Sequence, residues 1–148
     1  MDKKFRKAVW AAVLLSLVSL SALSGAICCV AGTYEGFQIN YVKPNCPTPA
    51  KEKFTMVIKQ MVPCTAAVGG TVVDSSGTEN HWTGTLSRSL MRGCCALEGS
   101  FLTPSGNTVK FKGTICLKLG KWQAKGTWEE IGSTDPCRGK GTWQMSQI

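Results

Sequence analysis

Residues 107–118 read Asn-Thr-Val-Lys-Phe-Lys-Gly-Thr-Ile-Cys-Leu-Lys. Apolar or small residues alternate here with polar ones, from Val109 through Ile115 to Leu117. An alternation of period two predicts a strand that packs one face on a core and turns the other to solvent. The same alternation runs through residues 121–129 and 139–145, and no helical periodicity follows residue 26. We therefore predict an all-β fold.

A Gly-Thr pair recurs along the chain, and from Gly70 onward it returns every 13–15 residues if Gly99-Ser100 is included. This spacing fits one strand and one short connection, repeated. The predicted strands are near residues 30–41, 53–61, 66–74, 79–87, 94–102, 107–118, 121–129 and 139–146. Glycines on the apolar phase allow the sharp bends of a small closed sheet. The prediction is an up-and-down antiparallel eight-stranded barrel.

The turns set the strand register. A turn centred on Ser105 places Gly99 opposite Phe111 and Cys94 opposite Cys116. Each inward glycine is then covered by a larger neighbour on the next strand. A tight turn at residues 119–120 predicts the next pairs, Gly113–Gly126 and Phe111–Trp128.

Residues 1–26 have the features of a signal peptide. A basic start that includes Lys3 and Lys7 precedes the uncharged, apolar residues 8–23, and small residues precede a predicted cleavage after Ala26. We expect an exported protein, periplasmic or extracellular, with a single domain over residues 27–148. The alternative is an uncleaved membrane anchor, because residues 8–32 are long enough to span a bilayer as a helix.

All eight cysteines follow the predicted cleavage site, and an even number in an oxidising compartment indicates disulfides. The barrel topology predicts Cys94–Cys116 and Cys46–Cys137, and leaves Cys28 and Cys29 to divide Cys64 and Cys95 in an order that the sequence does not set. The chain has no Cys-x-x-Cys motif, and its single histidine, His81, has no cysteine near it in sequence. We therefore predict no metal site and no cofactor.

The motifs Gly32-Thr33-Tyr34, Gly126-Thr127-Trp128 and Gly141-Thr142-Trp143, together with eight antiparallel strands, resemble the calycin barrels, the lipocalin and avidin groups. The resemblance covers residues 30–145. It implies a cup with one open end that binds a small molecule. It implies no particular ligand, because Tyr34 stands where those families usually place Trp and the polar biotin-binding pattern is absent.

Five aromatic residues on the inward phase are the predicted ligand-binding residues: Tyr34, Trp82, Trp122, Trp128 and Trp143. They predict a cavity for a flat apolar or amphipathic ligand. The alternative is a filled core, which an eight-stranded barrel is narrow enough to have and which inward glycines beside large rings favour. By phase, Gln60 and Asn80 are the expected partners of buried indole N–H groups.

The charge is net +8, with five lysines between residues 110 and 125 at polar positions of the alternation. We interpret them as a solvated outer face, with attraction to anionic polymers or lipid surfaces as the alternative. Nucleic-acid binding is not expected, because the aromatic residues fall on the inward face and not among the lysines.

Catalysis is not expected either, because no nucleophile–base set or paired-carboxylate site can be built from this sequence. The predicted function is a small binding module for an apolar or amphipathic ligand. One alternative is a protein-interaction or inhibitor module that acts through loop 42–53 or loop 86–94, where Arg88, Leu90, Met91 and Arg92 form a basic and apolar tip. The other is a structural envelope protein without a ligand.

Overall fold

A computed structural model describes residues 28–40, 51–61, 64–132, 134 and 139–148. The predicted signal peptide, the predicted Cys46–Cys137 pair and residues 42–50 of the first predicted interaction loop lie outside these residues. In the part of the chain described, no helix is long and apolar enough to cross a membrane.

The described residues form eight strands that close into one barrel. These are β1 Gly32–Asn40, β2 Lys51–Gln60, β3 Ala67–Asp74, β4 Glu79–Arg88, β5 Cys94–Leu102, β6 Thr108–Lys118, β7 Lys121–Ile131 and β8 Lys140–Gln147. Each strand pairs antiparallel with the next, and β8 pairs with β1. The predicted all-β, up-and-down barrel is confirmed, with every strand end within two residues of its predicted position.

The predicted register is confirmed across the turns at both ends of β6. Gly99 lies opposite Phe111 in the β5–β6 pair, and Cys94 lies opposite Cys116. In the β6–β7 pair, Gly113 lies opposite Gly126. A side chain at Gly113 would overlap the carbonyl of Lys125, so the two glycines let the strands approach closely where the wall bends.

The antiparallel order sorts the connections into two ends. We call one end the mouth; it is formed by turns 75–78 and 103–107 and by the adjoining ends of β1 and β7. The other is the disulfide end; it is formed by segment 28–31, connections 61–66 and 89–93, and turn 119–120.

Three disulfides gather at the disulfide end: Cys28–Cys95, Cys29–Cys64 and Cys94–Cys116. Every cysteine among the described residues is paired. The Cys94–Cys116 prediction is confirmed, and the order that the sequence left open is now set for Cys28 and Cys29. Two of the bridges fasten the segment that precedes β1 to other parts of the barrel.

The segment before β1 closes the disulfide end. The Gln60 side chain accepts a hydrogen bond from the Val30 amide (3.0 Å) and donates to the carbonyls of Cys28 (2.9 Å) and Thr65 (2.8 Å). The Tyr34 hydroxyl donates to the Val30 carbonyl, and both side chains are fully buried. Backbone groups that would otherwise lack partners inside the barrel are thereby paired, so residues 28–31 form a plug at this end, held by these hydrogen bonds.

Aromatic rings fill the middle of the barrel. Phe111 makes edge-to-face contacts with Trp82 on one side (centroids 5.4 Å apart) and with Trp143 on the other (6.1 Å). A methyl group at Gly99 would overlap the Phe111 ring, so this glycine makes room for it. Edge-to-face packing of this kind adds to the stabilisation from burial alone.

The indole partners differ from the expectation. Trp82 Nε1 donates to the Val57 carbonyl (3.3 Å) and Trp143 Nε1 to the Thr127 carbonyl (3.0 Å), so the assignment of Gln60 and Asn80 to this role was wrong. The reason lies partly in a glycine: Gly70 lies between Trp82 and β2 and has no side chain to cover the Val57 carbonyl. Gln60 instead holds the plug.

Candidate ligand-binding site

The mouth opens into a cavity of about 530 Å³ inside the barrel. Its lining side chains come from all eight strands and from turns 75–78 and 103–107. This volume falls in the range typical of small-molecule sites in proteins. The barrel is therefore filled in its middle and open at one end, so each of the two alternatives left by the sequence holds for a different part of it.

The deep part of the cavity is apolar. Met56, Phe111 and Trp143 line it and are buried. Nearer the rim, more apolar side chains face one another while remaining partly buried: Phe54, Val72, Phe101 and Trp128. Aromatic rings on opposite walls suit a flat apolar group placed between them.

The rim of the cavity is polar, and two amide–carboxylate pairs order it. Gln38 Nε2 donates to Glu52 Oε2 (2.8 Å) across β1 and β2. Asn107 Nδ2 donates to Glu130 Oε1 (3.1 Å). Each carboxylate holds more lone pairs than these bonds use, so both remain able to accept a hydrogen bond from a ligand.

Asp74 adds a third carboxylate to the rim and organises the β3–β4 turn. Its Oδ1 accepts hydrogen bonds from the Ser76 hydroxyl (2.6 Å) and from the amides of Ser76 (2.9 Å) and Thr78 (3.0 Å). Burial by itself raises the pKa of Asp74, but these hydrogen bonds outweigh it and lower the pKa below its usual value. The carboxylate is therefore charged at neutral pH.

Trp128 stands out among the lining residues because its polar atom lacks a partner. Its Nε1 is buried, and no hydrogen-bond acceptor for it is found among the described residues. A buried donor without an acceptor costs about 1–3 kcal/mol. The indole N–H groups of Trp82 and Trp143 have acceptors and carry no such cost. Hydrogen bonding is therefore less complete in the wall of the mouth than in the core below it.

The structure divides the five predicted ligand residues. Trp128 and Trp143 line the cavity. Tyr34 and Trp82 are fully buried in the filled part, where burial also raises the pKa of the Tyr34 hydroxyl far above its usual range. Trp122 is half-buried at the disulfide end, six residues before Trp128 on β7. A ligand role for any of the five stays a prediction.

Sequence reasoning missed the rim residues Gln38, Glu52 and Glu130. A signal for them existed, because each continues the inward phase of its strand towards the mouth: Glu130 follows Trp128, and Glu52 precedes Phe54. Polar residues that continue an apolar phase at one end of a strand indicate an interior open to water at that end.

The residues of the predicted interaction loop lie at the opposite end from the cavity. Arg88, Leu90, Met91 and Arg92 are all exposed around connection 89–93. His81 is also exposed, as its outward phase predicted. Among the described residues, no three His, Cys, Asp or Glu side chains come together as metal ligands.

A larger hollow of about 860 Å³ follows the outer face of the wall, beside Phe37, Thr55, Thr114 and Gln123. It lies outside the barrel, so no opposing wall of strands faces these side chains. The mouth cavity is the better candidate, because there the strands themselves surround a ligand.

No protein-family model and no curated protein sequence matches this chain. Among solved structures, the fold is similar to EF1p2_mFAP2b bound to DFHBI, with a TM-score of 0.54 and 11% identity over 80% of this chain and 92% of that one. It is also similar to mFAP1, a redesigned β-barrel bound to DFHBI (TM-score 0.52, 13% identity, 84% and 100% covered). A third is the redesigned β-barrel b11L5F_LGL (TM-score 0.52, 14% identity, 80% and 90% covered). At these identities the likeness shows the fold alone.

Proposed function

We propose that this protein is an exported, disulfide-bonded binding module that holds a small apolar or amphipathic ligand in the mouth of its barrel. The observation that carries the proposal is the cavity of about 530 Å³, closed below by Phe111 and Trp143 and open at the rim. The ligand's apolar part would lie between Phe101 and Trp128, and its polar part would meet the carboxylates of the rim. This is a calycin-like mode of binding, without catalysis.

Two further observations support it. Two of the similar barrels, EF1p2_mFAP2b and mFAP1, are bound to the small ligand DFHBI. The three disulfides suit an oxidising compartment, in agreement with a signal peptide at residues 1–26.

The test is a titration of the mature, oxidised protein with a panel of flat aromatic compounds and fatty acids, followed by tryptophan fluorescence. We expect saturable quenching or a blue shift with at least one compound. Trp128→Ala should lower the affinity at least tenfold, because a lining ring is removed.

Trp122→Ala is the matched control. Trp122 is also a half-buried tryptophan of β7, but it lies about 20 Å from Trp128, at the disulfide end. The affinity of this variant should stay close to that of the unchanged protein. A flat response to the whole panel, or equal losses in the two variants, would reject the mouth as the binding site.

A further inference from the structure

The disulfide end carries most of the exposed large apolar side chains of the described residues. Six of the nine lie there: Met61, Leu90, Met91, Leu117, Leu119 and Ile148. Leu90 and Leu119 project fully into solvent, at 107% and 105% relative exposure. Scattered apolar residues on a surface are ordinary, but a cluster at one end marks an interaction site.

Backbone hydrogen bonds join the connections that carry these residues. The Leu117 amide donates to the Gly93 carbonyl (3.0 Å), which links the end of β6 to connection 89–93. The Leu86 amide donates to the Ala66 carbonyl (2.7 Å), which links β4 to connection 61–66. The six exposed apolar side chains therefore lie on one continuous surface at the disulfide end.

The charged side chains of this surface are all basic. The segments that form it, residues 28–33, 59–67, 86–95, 116–123 and 146–148, contain no Asp or Glu. They contain five cationic side chains, all exposed: Lys59, Arg88, Arg92, Lys118 and Lys121. Five of the seven acidic side chains of the described residues lie towards the mouth, namely Glu52, Asp74, Glu79, Glu129 and Glu130, and the other two, Glu35 and Glu98, lie within β1 and β5. The barrel is thus polarised along its axis.

The backbone conformation of Leu119 is independent support for a function of the exposed apolar side chains. It has a positive φ of 49° in the two-residue turn between β6 and β7. A turn of this kind favours Asn, Asp or Gly, because other side chains are strained there. Leu119 is fully exposed, so its side chain gains no burial in the isolated barrel that would offset this strain.

The chain also enters the barrel at this end. Cys28 is fastened there by its bridge to Cys95, and the uncharged, apolar stretch 8–23 with its basic start lies only a few residues upstream. The predicted signal peptide therefore joins the chain at the disulfide end of the barrel.

We propose that the disulfide end docks on an anionic lipid bilayer, with Leu90 and Leu119 entering the interface, the cations facing the headgroups and the mouth pointing away. A basic ring around apolar tips is what an anionic interface attracts, and each cation near such a surface strengthens binding. A purely apolar rim would suit a protein partner equally well; five cations and no acid favour lipid. The inference does not depend on the ligand in the mouth.

The test is co-sedimentation of residues 27–148, the predicted mature protein, with phosphatidylcholine vesicles that contain or lack phosphatidylglycerol. All eight strands and the three described disulfides lie within these residues, and the apolar stretch 8–23 cannot contribute to binding because it is absent. We expect binding to the anionic vesicles that weakens with salt. The double variant Arg88→Gln, Arg92→Gln should bind about 30-fold less, from about fivefold per charge.

Leu119→Asn provides a variant that cannot fail merely by misfolding, because Asn tolerates positive φ better than Leu. We expect an unchanged or higher melting temperature and about tenfold weaker vesicle binding. Leu102→Asn, which changes an exposed leucine near the mouth, should bind as the unchanged protein does. Equal binding to neutral vesicles, no binding at all, or equal losses in the two leucine variants would overturn the proposal.

Discussion

The two ends of the barrel are built on opposite plans. At the disulfide end, three bridges, the Gln60 side chain and the buried pair Val30 and Tyr34 close the interior and satisfy its backbone groups. At the mouth, strands end in polar side chains around a cavity, and the Trp128 indole N–H has no acceptor among the described residues.

From this difference we infer that the disulfide end stabilises the fold and that the mouth is the proposed ligand site. We expect the closed end to contribute more stability than the open end, which is the usual relation between a scaffold and a binding site. Changes to the bridges and to the Gln60 hydrogen bonds at the disulfide end should therefore affect unfolding, and changes at the mouth should affect ligand binding.

The largest effect is expected from the bridge that fastens the plug. Replacing both Cys28 and Cys95 with Ala should lower the free energy of unfolding by about 2–5 kcal/mol, because the bridge closes a chain segment of 67 residues. Urea unfolding of the oxidised protein measures it. Ligand affinity at the mouth should hardly change, and a loss below about 1 kcal/mol would show that the plug is dispensable.

A smaller effect separates two glutamines that both face inward. Gln60→Leu leaves the carbonyls of Cys28 and Thr65 and the amide of Val30 without their partner, and should cost about 1–3 kcal/mol. Gln38→Leu, the matched change at the mouth, breaks one bond to Glu52 at a rim that water reaches, and should cost less than about 1 kcal/mol. Equal losses in urea unfolding would contradict the difference between the ends.

A third comparison, of similar size, concerns two indoles. Trp82→Phe removes the donor to the Val57 carbonyl in the filled core and should cost about 1–3 kcal/mol. Trp128→Phe removes a donor that has no acceptor, so the gain offsets part of the lost volume and the net cost should stay below about 1 kcal/mol. Thermal unfolding of the two variants side by side gives the answer; a costlier Trp128→Phe would mean that its indole is satisfied after all.

The fold could be predicted because its signals are local. Alternation, turn residues and the Gly-Thr spacing each act over a few residues, and together they fix strands, order and register, as in the pairing of Cys94 with Cys116. The Cys94–Cys116 pair followed from register, and the grouping of Cys28 and Cys29 with Cys64 and Cys95 followed from the end of the barrel that each residue reaches. Which of Cys64 and Cys95 bonds to Cys28 and which to Cys29 could not be predicted, because the pairing depends on the path of a segment outside any strand.

The site was harder, because strand phase tells inside from outside but not top from bottom. Trp122 and Trp128 share a phase on β7, yet one lies at the disulfide end and the other lines the cavity. Whether a barrel interior is hollow depends on how rings pack in three dimensions, as Phe111 does between Trp82 and Trp143. Periodicity carries no information about that packing.

The most direct test of a closed end opposite a binding mouth is to follow the indole N–H signals of the mature protein by NMR during titration with the compound from the panel that binds best. The predicted mature chain keeps Trp82, Trp122, Trp128 and Trp143, so the signals report on both ends and on the core at once. We expect the signals of Trp128 and Trp143 to shift in proportion to occupancy while that of Trp122 stays in place. A shift of Trp122 with Trp128 and Trp143 unmoved would place the ligand at the wrong end and contradict the assignment of the mouth.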